Sequence, residues 1–402
     1  MPPIFWRPSW RAAILPEPTW HLPCWSNPLM PKLPPKKPIT LEDVLAFQQH
    51  EQPMLVRDAS GLSFAGLDLR KVRFIECDLT GCDFTNTDLR GAQIVSCKMD
   101  GAKLSGALLK DAQLVSCEIP GLELNDTELE RLQFVTSNAS GGSLKGSRIS
   151  ETSLAKVDLT GSDLSEVAFY RTVALSCEVE NMSLANSVLS NFMLTEADLR
   201  SVDISGAHID IGLFADANLS GKDLSNQSWQ HCTFHKGVFQ NTKLDGAVVS
   251  ASVFAECDFA GASMRGLTGQ ATGFTKSKLD GVDLSGSTLP MANFAGASLS
   301  GAKLNGSQLY SAVFQEADCR AVLFEQCDLR LAEMSHADLS AASLSASTFS
   351  NTKLHAVKLD KTVMLGTSGS TIDTDTDRAI AELYRPERVE LDADMSARNG
   401  GL

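Results

Sequence analysis

The sequence predicts an all-β chain wound into stacked coils of four short sides, and three observations carry that prediction. From Phe64, Leu69 and Phe74 to Leu354, Leu359 and Met364 a large apolar residue falls at every fifth position. Of these 61 centres 57 obey, and only Ala139, Ala174, Gly269 and Cys319 do not. Two residues after a centre, 20 positions are Gly and seven are Asn, the residues that best tolerate a turn. Phe214, Phe234, Phe254, Phe274, Phe294 and Phe314 recur at a spacing of 20, so four quintets make one coil. A period of five fits neither other element: a helix would drift the stripe around its surface, and a flat strand would flip the side chain at each repeat. A chain that turns a corner every five residues buries every centre on one axis. About 15 coils at ~4.8 Å give a rod of about 70 Å.

The elements follow in order. Residues 1–38 form an arm with 11 Pro and with Trp6, Trp10, Trp20 and Trp25, a stiff segment with large contact groups expected to dock a partner. The alternative is a chain that starts at Met30. Residues 39–58 are an N-terminal cap, because Thr40-Leu41-Glu42-Asp43 ahead of Val44, Leu45 and Phe47 reads as a capped amphipathic helix. Residues 59–366 are the repeats. Residues 367–402 hold a second short helix, Asp375 to Tyr384, and a tail expected to be disordered.

Within the repeats, the slot two before each centre is usually small, as in Ala92, Ala102 and Ala297. It holds eight of the ten cysteines, among them Cys77, Cys97, Cys232 and Cys327, read as small buried hydrophobes rather than ligands or disulfides. Lys222 and Gln227 are oversized there and are expected to lean outward at the corners. Asn138 to Gly142 and Gly269 to Gly273 lack the usual filling and read as thin packing.

The units Ala197-Asp198-Leu199-Arg200-Ser201, Val282-Asp283-Leu284-Ser285-Gly286 and Ala337-Asp338-Leu339-Ser340-Ala341 resemble the A(D/N)LXX unit of pentapeptide-repeat proteins. The resemblance covers about three quarters of the chain and implies a right-handed quadrilateral β-helix. The long unbroken rod with its arm is similar in layout to secretion-system-associated members, including type VI accessory proteins. Other members of the family resemble duplex DNA and act on DNA gyrase.

Lys plus Arg number 35 against 49 Asp plus Glu, a net charge of −14, which argues against nucleic-acid or anionic-membrane partners. No apolar run approaches the ~20 residues of a membrane span, and the expected compartment is the cytoplasm. DNA mimicry meets a numerical obstacle. Residues 60–365 hold 36 acidic and 25 basic residues, a net of −11, whereas duplex DNA would carry about 40 charges over the same length. No nucleophile elbow, phosphate loop, dinucleotide fingerprint or zinc motif occurs, so no catalytic, cofactor or metal site is expected. His231, Cys232 and His235 mimic a metal cluster, but the pattern turns Cys232 inward and both His outward.

Sorting the slot before each centre by side separates two surfaces. One carries Asp78, Lys98, Glu118, Asp158, Glu178, Asp198, Asp258, Asp318 and Asp338 and is distinctly acidic. Another carries Val173, Met193, Leu213, Val253 and Val313, with Gln93, Gln113 and Gln133 nearer the start. An apolar stripe aligned over many coils is a candidate protein-binding surface. The expected function is a non-enzymatic scaffold or adaptor rod for a protein partner, with gyrase-directed DNA mimicry as the alternative. An end-to-end dimer is compatible with such a rod.

Overall fold

The computed structural model describes residues 36–383, which belong to one compact unit beginning at Lys36. Its geometry is set within each quintet. Two residues after the centre the backbone takes φ between +49° and +72° at every repeat position from 66 to 366 except Ser201. That left-handed residue swings the chain through a corner, and on most sides the turn closes by a hydrogen bond from the third residue after the centre to the centre's carbonyl. Ala92 N–H to Leu89 O, 2.9 Å, is one example. Gly and Asn reach the left-handed region at least cost, which is why they fill this slot. The Asp before a centre has a local role as well: its carboxylate accepts the backbone N–H two residues on, as in Thr80 to Asp78 (3.1 Å) and Ser165 to Asp163 (2.9 Å).

Each side pairs in parallel with the side 20 residues earlier, from Lys37 opposite Arg57 onward. The last pair, Thr352 opposite Thr371, is offset by 19; the slip falls beside Gly369, whose φ is +100°. A side chain at Gly369 would overlap the carbonyl of Phe349. Pairing from residue 37 to residue 372 makes about 17 turns rather than 15. Backbone pairing needs no repeat signature, so Lys37–Pro38, Met54–Leu55 and Arg57–Asp58 join coils ahead of the start expected at residue 59.

The interior is the expected spine. Phe214, Phe234, Phe254, Phe274, Phe294 and Phe314 stack with ring centroids 4.8–5.3 Å apart and planes within 12°. All nine cysteines among the described residues are buried free thiols. Most buried hydroxyls in the small slot donate to the carbonyl of a centre one coil back, as Thr87 does to Phe64 (2.7 Å) and Ser277 to Phe254 (2.7 Å), while Thr127, Ser137 and Ser187 donate to a carbonyl of their own coil. Each is thereby satisfied inside the apolar core.

Helix α1, Leu41–Gln49, stands over the first coils and buries Val44. Thr40 and Asp43 form the reciprocal capping box: Asp43 N–H donates to Thr40 Oγ1 (3.2 Å) and Thr40 N–H to the Asp43 carboxylate (2.8 Å). Helix α2, Thr376–Leu383, lies at the other end. No described helix is long and apolar enough to cross a membrane.

Among the described residues three sides lose pairing locally. No bridge joins Lys103 to Glu123, Leu108 to Glu128, Glu178 to Asp198 or Asp203 to Asp223. Oversized residues in small slots lie beside or near three of these gaps: Leu122 at the first, Met182 and Phe192 near the third, Lys222 at the fourth. Lys222 does not simply lean out. It is half-buried, and its ammonium donates to the carbonyl of Val202, one coil back. Burial, opposed in part by Asp203, pulls its pKa below the ordinary lysine value. The glycine-rich stretches at 138–142 and 269–273, in contrast, keep their bridges, Asn138 to Asp158 and Thr268 to Thr288.

Candidate interaction face

The side through Phe74, Ile94, Leu114 and onward to Leu354 differs from the others. Its ladder is unbroken from Met54 opposite Phe74 to Glu333 opposite Lys353. From Arg73 to Ala255 each rung extends one residue past the centre before it turns, so Ile75 pairs with Val95, Val95 with Val115 and Val115 with Val135. β-Branched residues after the centre favour that extended conformation. At Val188–Thr195 and His208–Ala215 two eight-residue strands pair with one another and run into this side from its neighbour.

Two columns therefore face outward, flanking the buried centre. Val173, Met193, Leu213, Val253 and Val313 lie where the sequence expects them, on a single column. Val253 is exposed and the rest half-buried. The sequence reading missed the second column, Ile75, Val95, Val115, Val135, Ala155, Leu175, Thr195, Ala215, His235 and Ala255. Its signal was present one residue after each centre, a slot that on the other sides belongs to the turn. From Ile75 to Gln315 neither column contains Lys, Arg, Asp or Glu. At the rim Ile211, a β-branched residue, is held at φ 58° with 49% of its surface exposed. Such a conformation costs on the order of 1–3 kcal/mol and here presents an apolar side chain beside Leu213.

The opposite character appears on the side through Leu79 and Met99. Four of its eight carboxylates are matched by cations: Arg200 sits 2.6 Å from Asp198, Arg320 2.6 Å from Asp318, Lys278 3.8 Å from Asp258 and Lys358 3.4 Å from Asp338. Hydrogen bonds from Arg200 and Arg320 hold the carboxyls of Asp198 and Asp318 below the usual carboxylate range. This surface is zwitterionic from Asp198 to Lys358, whereas Asp78, Glu118, Asp158 and Glu178, nearer the start, form no ion pair among the described residues.

His231, Cys232 and His235 do not converge on one point. Cys232 is buried with its thiol pushed up to about 12, and it donates to the Gln230 carbonyl (3.4 Å). His231 turns to Asp210 (3.1 Å). A different group comes together at the far end, one that sequence spacing did not reveal because Glu382 arrives from α2. His336 Nε2 and His355 Nε2 both lie 3.2 Å from Glu382 Oε2. The donor set could hold a metal, but its surroundings point the wrong way. The backbone N–H of Asp375 donates to His355 Nδ1 (3.1 Å), which leaves the proton on Nε2, whereas a metal-bound histidine donates from its outer nitrogen. The cluster is a hydrogen-bonded clasp on α2, completed by Arg378 at 2.7 Å from Glu382. Trp6, Trp10, Trp20 and Trp25 lie outside the described residues.

These features define a four-sided parallel β-solenoid with one uncharged face. The chain carries the repeats that define the pentapeptide-repeat models. A pentapeptide repeat region matches residues 67–144, and pentapeptide repeats (8 copies) match residues 238–266, 277–315 and 317–355. Solved structures similar to it include full-length QnrB1, a plasmid-mediated fluoroquinolone resistance protein, at 14% identity over 64% of this chain and 96% of that one, with a TM-score of 0.26. HetL, involved in heterocyst differentiation regulation in the cyanobacterium Nostoc sp. strain PCC 7120, matches at 16% identity over 77% and 96%, with a TM-score of 0.13. Rfr23 from the cyanobacterium Cyanothece 51142 matches at 17% identity over 39% and 91%, with a TM-score of 0.19. No curated protein sequence matches the chain.

Proposed function

We propose that this protein is a non-catalytic docking rod whose uncharged side receives a protein partner. The observation that carries the reading is the absence of Lys, Arg, Asp and Glu from both outward columns between Ile75 and Gln315, on the one side whose backbone ladder never breaks. A charge-free strip that long on a chain of net charge −14 is an interaction surface by composition, and its continuous pairing keeps it flat and preorganised. An adaptor role, including one beside a secretion system, is compatible with such a rod.

The test is a triple substitution, Met193→Asp, Leu213→Asp and Val253→Asp, on outward positions that leave the spine intact. Proteins retained from the native cell by the wild-type rod should be lost with the triple variant, while its circular dichroism and melting temperature stay close to wild type. Unchanged retention refutes the placement. The second reading, a DNA mimic directed at gyrase, is disfavoured by the low net charge of the repeats and by the arginine and lysine partners from Asp198 to Lys358, which break up that half of the anionic surface a duplex would present. Inhibition or protection of purified gyrase in a supercoiling assay would reverse that preference.

A further inference from the structure

We propose that the uncharged side also pairs with a second copy of this chain, the two rods lying face to face and running in the same direction. The inference rests on the docking reading of that side and adds an occupant. Size, charge at the rims and packing across the centre each bear on it.

The strip from Ile75 to Gln315 spans 12 coil steps, so at ~4.8 Å per step and about 12 Å of width it offers roughly 700 Å². That approaches the ~800 Å² that each partner contributes to a standard interface. The rims decide the direction. One edge carries Lys71, Asp111, Arg131, Glu151 and Arg171, and the other carries Glu76, Lys156, Glu196, Asp216, Lys236, Glu256, Lys276 and Glu316. When the two-fold axis runs along the rods, each residue of one edge meets, at the same height, the residue five positions on in the second copy. Lys71 then faces Glu76 and Glu151 faces Lys156. Asp111, Arg131 and Arg171 face Ser116, Thr136 and Ser176, and no two like-charged Asp, Glu, Lys or Arg side chains oppose one another. With the rods antiparallel about the middle of the strip, Glu76 meets Glu316, Lys156 meets Lys236 and Glu196 meets Glu196. Like charges placed opposite one another at an interface rim are strongly unfavourable.

The columns agree with the same arrangement. Along the shared axis the column before the centre lies against the column after it. Met193 therefore meets Thr195, Leu213 meets Ala215 and Val253 meets Ala255, large against small, so that two sheets ~10 Å apart interdigitate in these coils, while Val173 meets Leu175 and Gln93, Gln113 and Gln133 meet Val95, Val115 and Val135.

Sedimentation equilibrium of the full chain at micromolar concentrations tests the pairing. The wild type should be a dimer, and Leu213→Asp should weaken association by at least about tenfold. Two rim variants keep the test clear of folding effects. Lys71→Glu with Glu151→Lys, and Glu76→Lys with Lys156→Glu, each create like-charge contacts with themselves and should dissociate alone. Their mixture restores opposite charges at all four rim contacts and should form a heterodimer. A wild type that stays monomeric, a dimer indifferent to Leu213→Asp, or charge variants that fail to associate on mixing would each overturn self-pairing. If the wild type is monomeric while the triple aspartate variant loses its captured partner, the docking reading stands and only this inference falls.

Discussion

Removing one ring from the aromatic spine should cost far more than replacing it by the commonest centre residue, and the difference can be worked from the structure. Phe254 is 2% exposed, with Phe234 stacked at 5.1 Å and Phe274 at 5.3 Å. Phe239 and Phe259 meet it edge-on at 5.7 and 5.6 Å. Phe254→Ala removes most of the buried side chain from a backbone cage that cannot collapse, because parallel pairs to residues 234 and 273 fix its position along the rod. The expected cost is about 4 kcal/mol, within the usual range for a buried Phe truncation. Phe254→Leu keeps most of the volume and forfeits chiefly the ring-to-ring preference, about 1 kcal/mol. Contacts in a solenoid join only adjacent coils, so the damage should stay local. Hydrogen exchange read by mass spectrometry should show lost protection in the coils holding Phe234, Phe254 and Phe274, with the coils near Phe64 and Phe84 unchanged. Urea titration gives the overall magnitude. Equal cost for Ala and Leu, or protection lost evenly along the rod, would refute a packed spine of independent neighbouring coils.

Two further outcomes follow from side chains at the edges of the pattern. Lys222→Thr should close the gap between Asp203 and Asp223, because a short hydroxyl fits the slot and frees the Val202 carbonyl for a backbone donor. A recovered hydrogen bond is worth about 1 kcal/mol, visible as a higher melting temperature and slower exchange at the Asp223 amide; unchanged exchange there would show that the lysine does not hold the gap open. Acid should weaken the fold. The carboxyls of Asp78, Asp83, Asp88 and Asp163 lie below their ordinary values through hydrogen bonds, and that of Asp68 at about 2 through Arg70. Groups whose folded pKa is depressed stabilise fully above the unfolded value near 4 and lose that contribution as pH falls toward 2. Melting temperatures should therefore be steady from pH 6 to 5 and decline below 4; a curve flat to pH 2 would contradict the role given to these carboxylates.

The fold was largely legible because its rule is one quintet long. A centre such as Leu284 or Phe294 is apolar, its turn position is often Gly, and the Asp before it caps its own backbone. The gaps in the ladder were less legible. Lys222 was visible as an oversized residue, but whether its ammonium would find solvent or the Val202 carbonyl depended on the coil beside it. The candidate face was half legible. Val173, Met193 and Leu213 stood out in the slot before the centre, whereas Val95, Val115 and Leu175 looked like corner residues until the backbone proved to stay extended through them.

The sequence by itself determined the period, the number of sides, the residues of the spine and the sorting of charge around the rod, because each of these repeats locally and needs no distant contact to specify it. Only the tertiary structure decided where pairing begins, where it slips by one residue at Gly369, and which coils part. It also decided that His336, His355 and Glu382 would meet. These depend on how one coil seats on the next, and backbone hydrogen bonding between coils is indifferent to the side chains that announce the repeat.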